Sequence, residues 1–115
     1  MAPTIVFDAA GAPSLVIGSP GGSKIIGYVA QALVGVLDWR MSPQQAVDMG
    51  HVLSRNGPAE LEAATEAAAF EAPLVARGQK VQVKPLNSGL HAIAIGADGL
   101  VSGIDPRREG AARGE

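Results

Sequence analysis

The run Gly18-Ser19-Pro20-Gly21-Gly22-Ser23 is where this chain could do chemistry. Leu15-Val16-Ile17 leads into it, and a long apolar stretch from Ile25 leads out. A strand that breaks at glycines and restarts as a helix brings backbone N–H groups and the positive end of a helix dipole to one point. That point suits a phosphate, a carboxylate or the oxyanion of an acyl-transfer intermediate. The spacing argues against phosphate. A phosphate loop reads Gly-x-x-x-x-Gly-Lys-Ser/Thr, and here Lys24 follows the glycine pair after a single residue.

Other reactive side chains are sparse. His51 and His91 are the only imidazoles, neither has acidic residues clustered around it in sequence, and no metal site is expected. His91 sits between Leu90 and Ala92 in a strand pattern and reads as structural. Gly-x-Ser-x-Gly is absent, and Ser19 precedes a proline, so its expected role is to form the turn. There is no cysteine, which removes a thiol nucleophile, a disulfide scaffold and a zinc ribbon together. Asp105 with Arg107-Arg108 is expected to clamp the C-terminal segment onto the body. Glu60, Glu62, Glu66 and Glu71 read as a solvated acidic face, and Trp39 as a partly buried anchor.

These residues must be positioned by a small fold. At 115 residues, 47% apolar and 17% charged, the chain is expected to be one folded domain spanning 1–115. A net charge of −2 gives no basic footprint, and four aromatics (one Trp, one Tyr, two Phe) offer little for base stacking. Nucleic acid is therefore not an expected partner. The most apolar run, Ile25 to Leu37, is broken by Gln31 and two glycines and is too short to span a bilayer. No membrane partner is expected, and the N-terminus lacks the pattern of a signal peptide.

Thr4–Phe7 and Leu15–Ile17 read as a hairpin closed by Asp8-Ala9-Ala10-Gly11. Both runs are apolar with little alternation, which predicts a sheet covered on both faces. Ser23 to Trp39 reads as a helix apolar on most of its circumference, hence buried between layers. Ser42-Pro43-Gln44-Gln45 predicts a capping box and a short helix ending near Gly50. Residues 51–62 read as edge strands or irregular loop around an Asn56-Gly57-Pro58 turn. Thr65 to Arg77 predicts a helix stopped by Gly78, either kinked at Pro73 or beginning near Phe70 so that Pro73 falls in its first turn. Strands are predicted at Lys80–Val83, Leu90–Ile95 and Leu100–Ile104, the last two joined as a hairpin through Asp98-Gly99. Runs of strands and runs of helices imply layered α+β with a mostly antiparallel sheet.

With these elements in place, the chain resembles the C-terminal part of the small subunit of the gamma-glutamyltransferase (gamma-glutamyltranspeptidase) family. The resemblance rests on Pro3–Asp8, Gly18–Ile26, Val36–Asp38, Ala46–Asp48, Asn56–Pro58, Ala76–Gly78, Ser88–Ile93 and Asp105–Gly110, in that order. It implies part of an N-terminal nucleophile hydrolase fold, a four-layer α-β-β-α sandwich. It also implies transfer or hydrolysis of γ-glutamyl groups from glutathione-like small molecules, with no cofactor. In that family an N-terminal threonine attacks the γ-carbonyl, with its own α-amine as base. Gly21 and Gly22 would supply the oxyanion hole. The matching threonine, and the residues that grip the substrate's α-amino and α-carboxyl groups, fall outside this sequence. Thr4 and Thr65 do not stand at an N-terminus. The resemblance thus implies an isolated chain without activity. A non-catalytic module that forms a homodimer, or completes its sandwich with an upstream subunit, is the alternative.

Overall fold

The computed structural model describes residues 1–114. The chain divides into two compact units, one of residues 1–48 with 88–115 and one of residues 49–87.

The first unit holds a four-stranded antiparallel sheet. Its strands are β1 (Thr4–Phe7), β2 (Pro13–Gly18), β6 (His91–Gly96) and β7 (Gly99–Ile104), in the spatial order β1-β2-β6-β7. The first hairpin forms where expected. Asp8 Oδ1 accepts hydrogen bonds from Ala10 N and Ala12 N, both at 2.9 Å, and Gly11 takes the positive φ of 83° that the turn demands. The second hairpin pairs Gly96 with Gly99, so its two-residue loop is Ala97-Asp98, with Gly99 at φ 119° just past it.

Register sorts the side chains. Thr4, Ile17, Ala92 and Gly103 are cross-strand partners on one face, where Ile17 and Ala92 are buried, as is Leu15. The helices α1 (Ile25–Leu37) and α2 (Pro43–Asp48) pack together, and α2 lies against β6 and β7. Gly103 allows this approach, because a Cβ there would sit 2.7 Å from Gln44 N. Gln44 then binds the sheet edge through its amide, donating to the Ile104 carbonyl at 2.9 Å and accepting from Ile104 N at 3.0 Å.

The opposite face behaves differently from expectation. Ile5, Val16 and Ile93 are partners across three strands and are 53%, 38% and 41% exposed. The continuous apolar pattern predicted two covered faces, but the helices of this unit cover one. Likewise α1 buries Tyr28, Val29, Ala32 and Gly35 while Ile26 and Leu37 are exposed, so it is not enclosed on all sides. Trp39 is 60% exposed, more open than the partly buried anchor expected. These departures share one cause. Apolar composition reports which surfaces are suited to burial, and the helices here reach one side of the sheet.

The second unit carries a three-stranded sheet ordered β3-β4-β5, from Val52–Leu53, Ala59–Glu62 and Val81–Lys84. The ambiguous 51–62 stretch is therefore a hairpin, around Asn56 at φ 63°. The β4–β5 pair is parallel, an exception to the antiparallel pattern. Its crossover contains a 3-10 turn (Glu66–Phe70) and α3 (Glu71–Ala76), the kind of connection a parallel pair requires. Pro73 lies in the first turn of α3, where its missing N–H costs nothing. The helix ends in a glycine motif: Gly78 N donates to Val75 O and Gln79 N to Leu74 O, with Gly78 at φ 84°.

The acidic residues of this unit are only in part the solvated face expected: Glu66 and Glu71 are exposed, Glu60 is half-buried and Glu62 is buried. Glu62 is buried, and its Oε2 accepts from His51 N at 2.9 Å. Glu66 accepts from Gly50 N at 2.7 Å, and Glu60 pairs with Lys84 at 2.6 Å. Only the tertiary fold brings residues so far apart in sequence within reach of these carboxylates.

Candidate functional site

The site is built within the first unit from three segments: the turn 18–23, the loop 88–90 and the segment 105–108. The first turn of helix after β2 is a 3-10 turn, Gly22–Lys24, which runs directly into α1. Gly21 adopts φ 139° and Gly22 φ 62°, conformations that L side chains rarely take. Neither the N-cap of the 3-10 turn, Gly21, nor that of α1, Lys24, makes a side-chain capping bond. Gly22 is exposed and Gly21 half-buried, so a ligand could reach this corner.

Ser19 lies beneath the corner and is buried. Its hydroxyl donates to the Pro20 carbonyl at 2.6 Å and accepts from Gly89 N at 3.1 Å. Gly89 is packed so closely that a Cβ there would lie 2.7 Å from Pro20 Cγ and 2.8 Å from Arg108 Cδ. The loop carrying Gly89 is held in turn by Asp105, which is buried. Asp105 Oδ2 accepts from the Ser88 hydroxyl and, at 3.0 Å, from Leu90 N. Its other oxygen accepts from Arg107 N and Arg107 Nη1, both at 3.0 Å. Arg107 Nη1 also reaches the Val47 carbonyl at 3.0 Å, and Arg108 Nε donates to the Ser88 carbonyl at 3.2 Å.

Burial alone would raise the Asp105 pKa. Hydrogen bonds from the Ser88 hydroxyl, Leu90 N and Arg107 N, joined by the Arg107 side chain, outweigh it and hold the carboxyl below its ordinary value. The clamp expected from Asp105 and the arginine pair is thus present, and it holds the loop beneath the glycine turn.

Beside the turn opens a shallow, largely apolar cavity of about 290 Å³, whose lining includes Met1, Val16, Ser19, Pro20, His91 and Ile93. His91 bonds through Nδ1 to the Gly89 carbonyl at 3.1 Å. Sequence reading missed two participants. Ser88 stood in a stretch that carries the family resemblance but was given no partner, and Ser19 was read as turn material with no partner. Both act through a contact across many residues, Ser88 with Asp105 and Ser19 with Gly89, which one-dimensional spacing does not encode.

A strand–glycine turn–helix corner, on an antiparallel sheet with helices on one face, defines a layered α+β protein. A profile of the gamma-glutamyltranspeptidase family matches residues 1–115, and the chain belongs to that family. It is 38% identical over 104 residues to the acylase ACY 1 proenzyme of Pseudomonas sp. strain SE83, a match covering 90% of this chain and 18% of that protein. It is 36% identical over 109 residues to the glutathione hydrolase proenzyme of Escherichia coli K12, covering 93% of this chain and 19% of that one. The chain therefore spans about a fifth of the length of these curated relatives. Among solved structures, a Helicobacter pylori gamma-glutamyltranspeptidase superposes with a TM-score of 0.82 at 31% identity, over 94% of this chain and 61% of that one. The Pseudomonas nitroreducens enzyme gives 0.85 at 29%, over 100% and 62%. No helix among the described residues is long and apolar enough to cross a membrane.

Proposed function

We propose that this chain is the C-terminal portion of the small subunit of a gamma-glutamyltranspeptidase-type enzyme, and that Gly21 and Gly22 furnish its oxyanion hole. The observation that carries the reading is the helix start at these two glycines, which has no side-chain cap. Amides left without a side-chain cap at a helix start could serve a tetrahedral intermediate, and the α1 dipole would add to the attraction. Attack on a γ-glutamyl carbonyl moves the carbonyl electrons onto oxygen, and the two N–H groups stabilise that charge as it forms. The nucleophile, an N-terminal threonine in this family, is supplied by residues outside 1–115. The substrate class is a glutathione-like γ-glutamyl compound, in keeping with the glutathione hydrolase among its relatives.

The purified chain alone is expected not to hydrolyse a γ-glutamyl anilide. The decisive construction grafts residues 1–115 in place of the matching segment of the Escherichia coli relative. The graft should hydrolyse the anilide, and Gly22→Pro should lower turnover by about a hundredfold or more. A self-processed graft that turns over equally well with and without Gly22→Pro would overturn the assignment.

A second reading is favoured by the exposed apolar sheet face of Ile5, Val16 and Ile93. On that reading the chain is a non-catalytic module that pairs with itself or with a partner chain across this face. Sedimentation of the wild type against Ile93→Lys separates the readings. A dimer dissociated by the lysine, together with an inactive graft, supports the module.

A further inference from the structure

We propose that Ser19 is a positioning residue for the oxyanion hole, fixing the plane of the Pro20–Gly21 peptide so that Gly21 N–H faces outward. This rests on the oxyanion reading above. The Ser19 hydroxyl has one proton and two lone pairs. Gly89 N–H occupies a lone pair at 3.1 Å, and the proton goes to the Pro20 carbonyl at 2.6 Å. The peptide bonds of this chain are trans, so carbonyl and N–H of one peptide plane point in opposite directions. A Pro20 carbonyl drawn inward to a buried hydroxyl therefore turns Gly21 N–H away from the interior.

The turn cannot hold this plane unaided. Gly21, at φ 139°, has the widest conformational freedom of any residue type. Pro20 has a fixed φ, but its ψ, which rotates the carbonyl, is free. The Ser19 hydroxyl locks that rotation, and Gly89, packed against the Pro20 ring, locks Ser19. An unlocked peptide would spend part of its time with the Gly21 N–H turned away from the oxyanion, and stabilisation that depends on preorganisation would be lost.

Amide NMR of the full chain tests this in two arms. Without added anion, Gly21 in the wild type should show a rigid-backbone order parameter, and the Gly89 amide should be protected from hydrogen exchange. Ser19→Ala should make Gly21 mobile and shift its resonance, and Ser19→Thr, which keeps the hydroxyl, should restore both. With sodium acetate as the probe, Ser19→Ala should weaken the response of the Gly21 amide about fivefold, the loss expected for one hydrogen bond. A folded Ser19→Ala chain whose Gly21 stays rigid and unshifted overturns the proposal. If Ser19→Ala does not fold, the wild type and Ser19→Thr decide: an unprotected Gly89 amide, or a mobile Gly21 in the threonine variant, overturns it. A wild type whose Gly21 is rigid but ignores acetate counts against the oxyanion hole, while the Ser19 lock stands.

Discussion

Two helix starts in the same unit meet the same electrostatic problem in opposite ways. At α2 the first amides are satisfied by side chains: Ser42 Oγ accepts from Gln45 N at 3.1 Å, and Gln45 Oε1 accepts from Ser42 N at 2.9 Å. That is a reciprocal capping box. At the glycine turn no side chain caps the start, and the backbone takes conformations open chiefly to glycine. The first arrangement makes a helix begin reliably. The second gives up that local stabilisation and leaves donors for something else. What holds the uncapped start is Ser19 within the turn and, from distant parts of the sequence, Gly89 and Asp105.

This contrast can be broken at its support. Asp105→Ala should be the most damaging single change, costing roughly 3–5 kcal/mol, because it leaves Arg107, Ser88 and Leu90 N without their shared acceptor. Urea denaturation monitored by circular dichroism reads this directly. A loss no larger than that of an exposed carboxylate would show that the glycine start is not held from below.

Smaller changes sharpen the comparison at the starts themselves. Ser42→Ala should cost about 1 kcal/mol, the usual loss for an N-cap. Gly22→Ala should cost about 1–2 kcal/mol through its φ of 62° alone, since a Cβ there meets nothing within 4 Å. The two effects should add, because the starts share no partner in the bonds described. Strong coupling between them would mean that the capped and uncapped starts are not independent.

The least of these effects is a pH dependence. Asp105 binds its proton less readily in the folded chain than in the unfolded one. Its contribution to stability is therefore complete above the unfolded carboxylate value, near pH 4, and is lost as pH falls through the lower folded value. The urea midpoint of the wild type should drop on acidification below about pH 4. In Asp105→Asn that part of the drop should be missing. Equal acid sensitivity in the two proteins would contradict the placement of the clamp's charge.

Sequence revealed the two starts unequally. Ser42-Pro43-Gln44-Gln45 announces its capping box because the bonds are local, and the structure forms both. The glycine turn, the hairpin at Asp8–Gly11 and the stop at Gly78 were legible for the same reason: each turns on the backbone freedom of one or two named residues. The support under the turn was only half legible. Asp105 with Arg107 could be anticipated as a clamp, but Ser88 and Ser19 join it through contacts that the fold alone creates. The parallel β4–β5 pair and the buried Glu62 escaped for the same reason. Strand direction and carboxylate partners are settled by tertiary packing, to which local pattern is blind. The uncovered sheet face was half legible: apolar strands alone read as covered on both sides, while the resemblance implied a sandwich that this chain does not complete by itself, and Ile5, Val16 and Ile93 are exposed.

The central claim is that the Gly21 and Gly22 amides are available to an oxyanion while the amides of the capped start are not. A titration of the nitrogen-15-labelled chain with sodium acetate compares them in one experiment. The Gly21 and Gly22 amide resonances should move with a common, saturating dependence on acetate while that of Gln45 stays in place. Glycine amides that do not respond, or a Gln45 amide that moves in step with them, would contradict the assignment of this turn as an oxyanion hole.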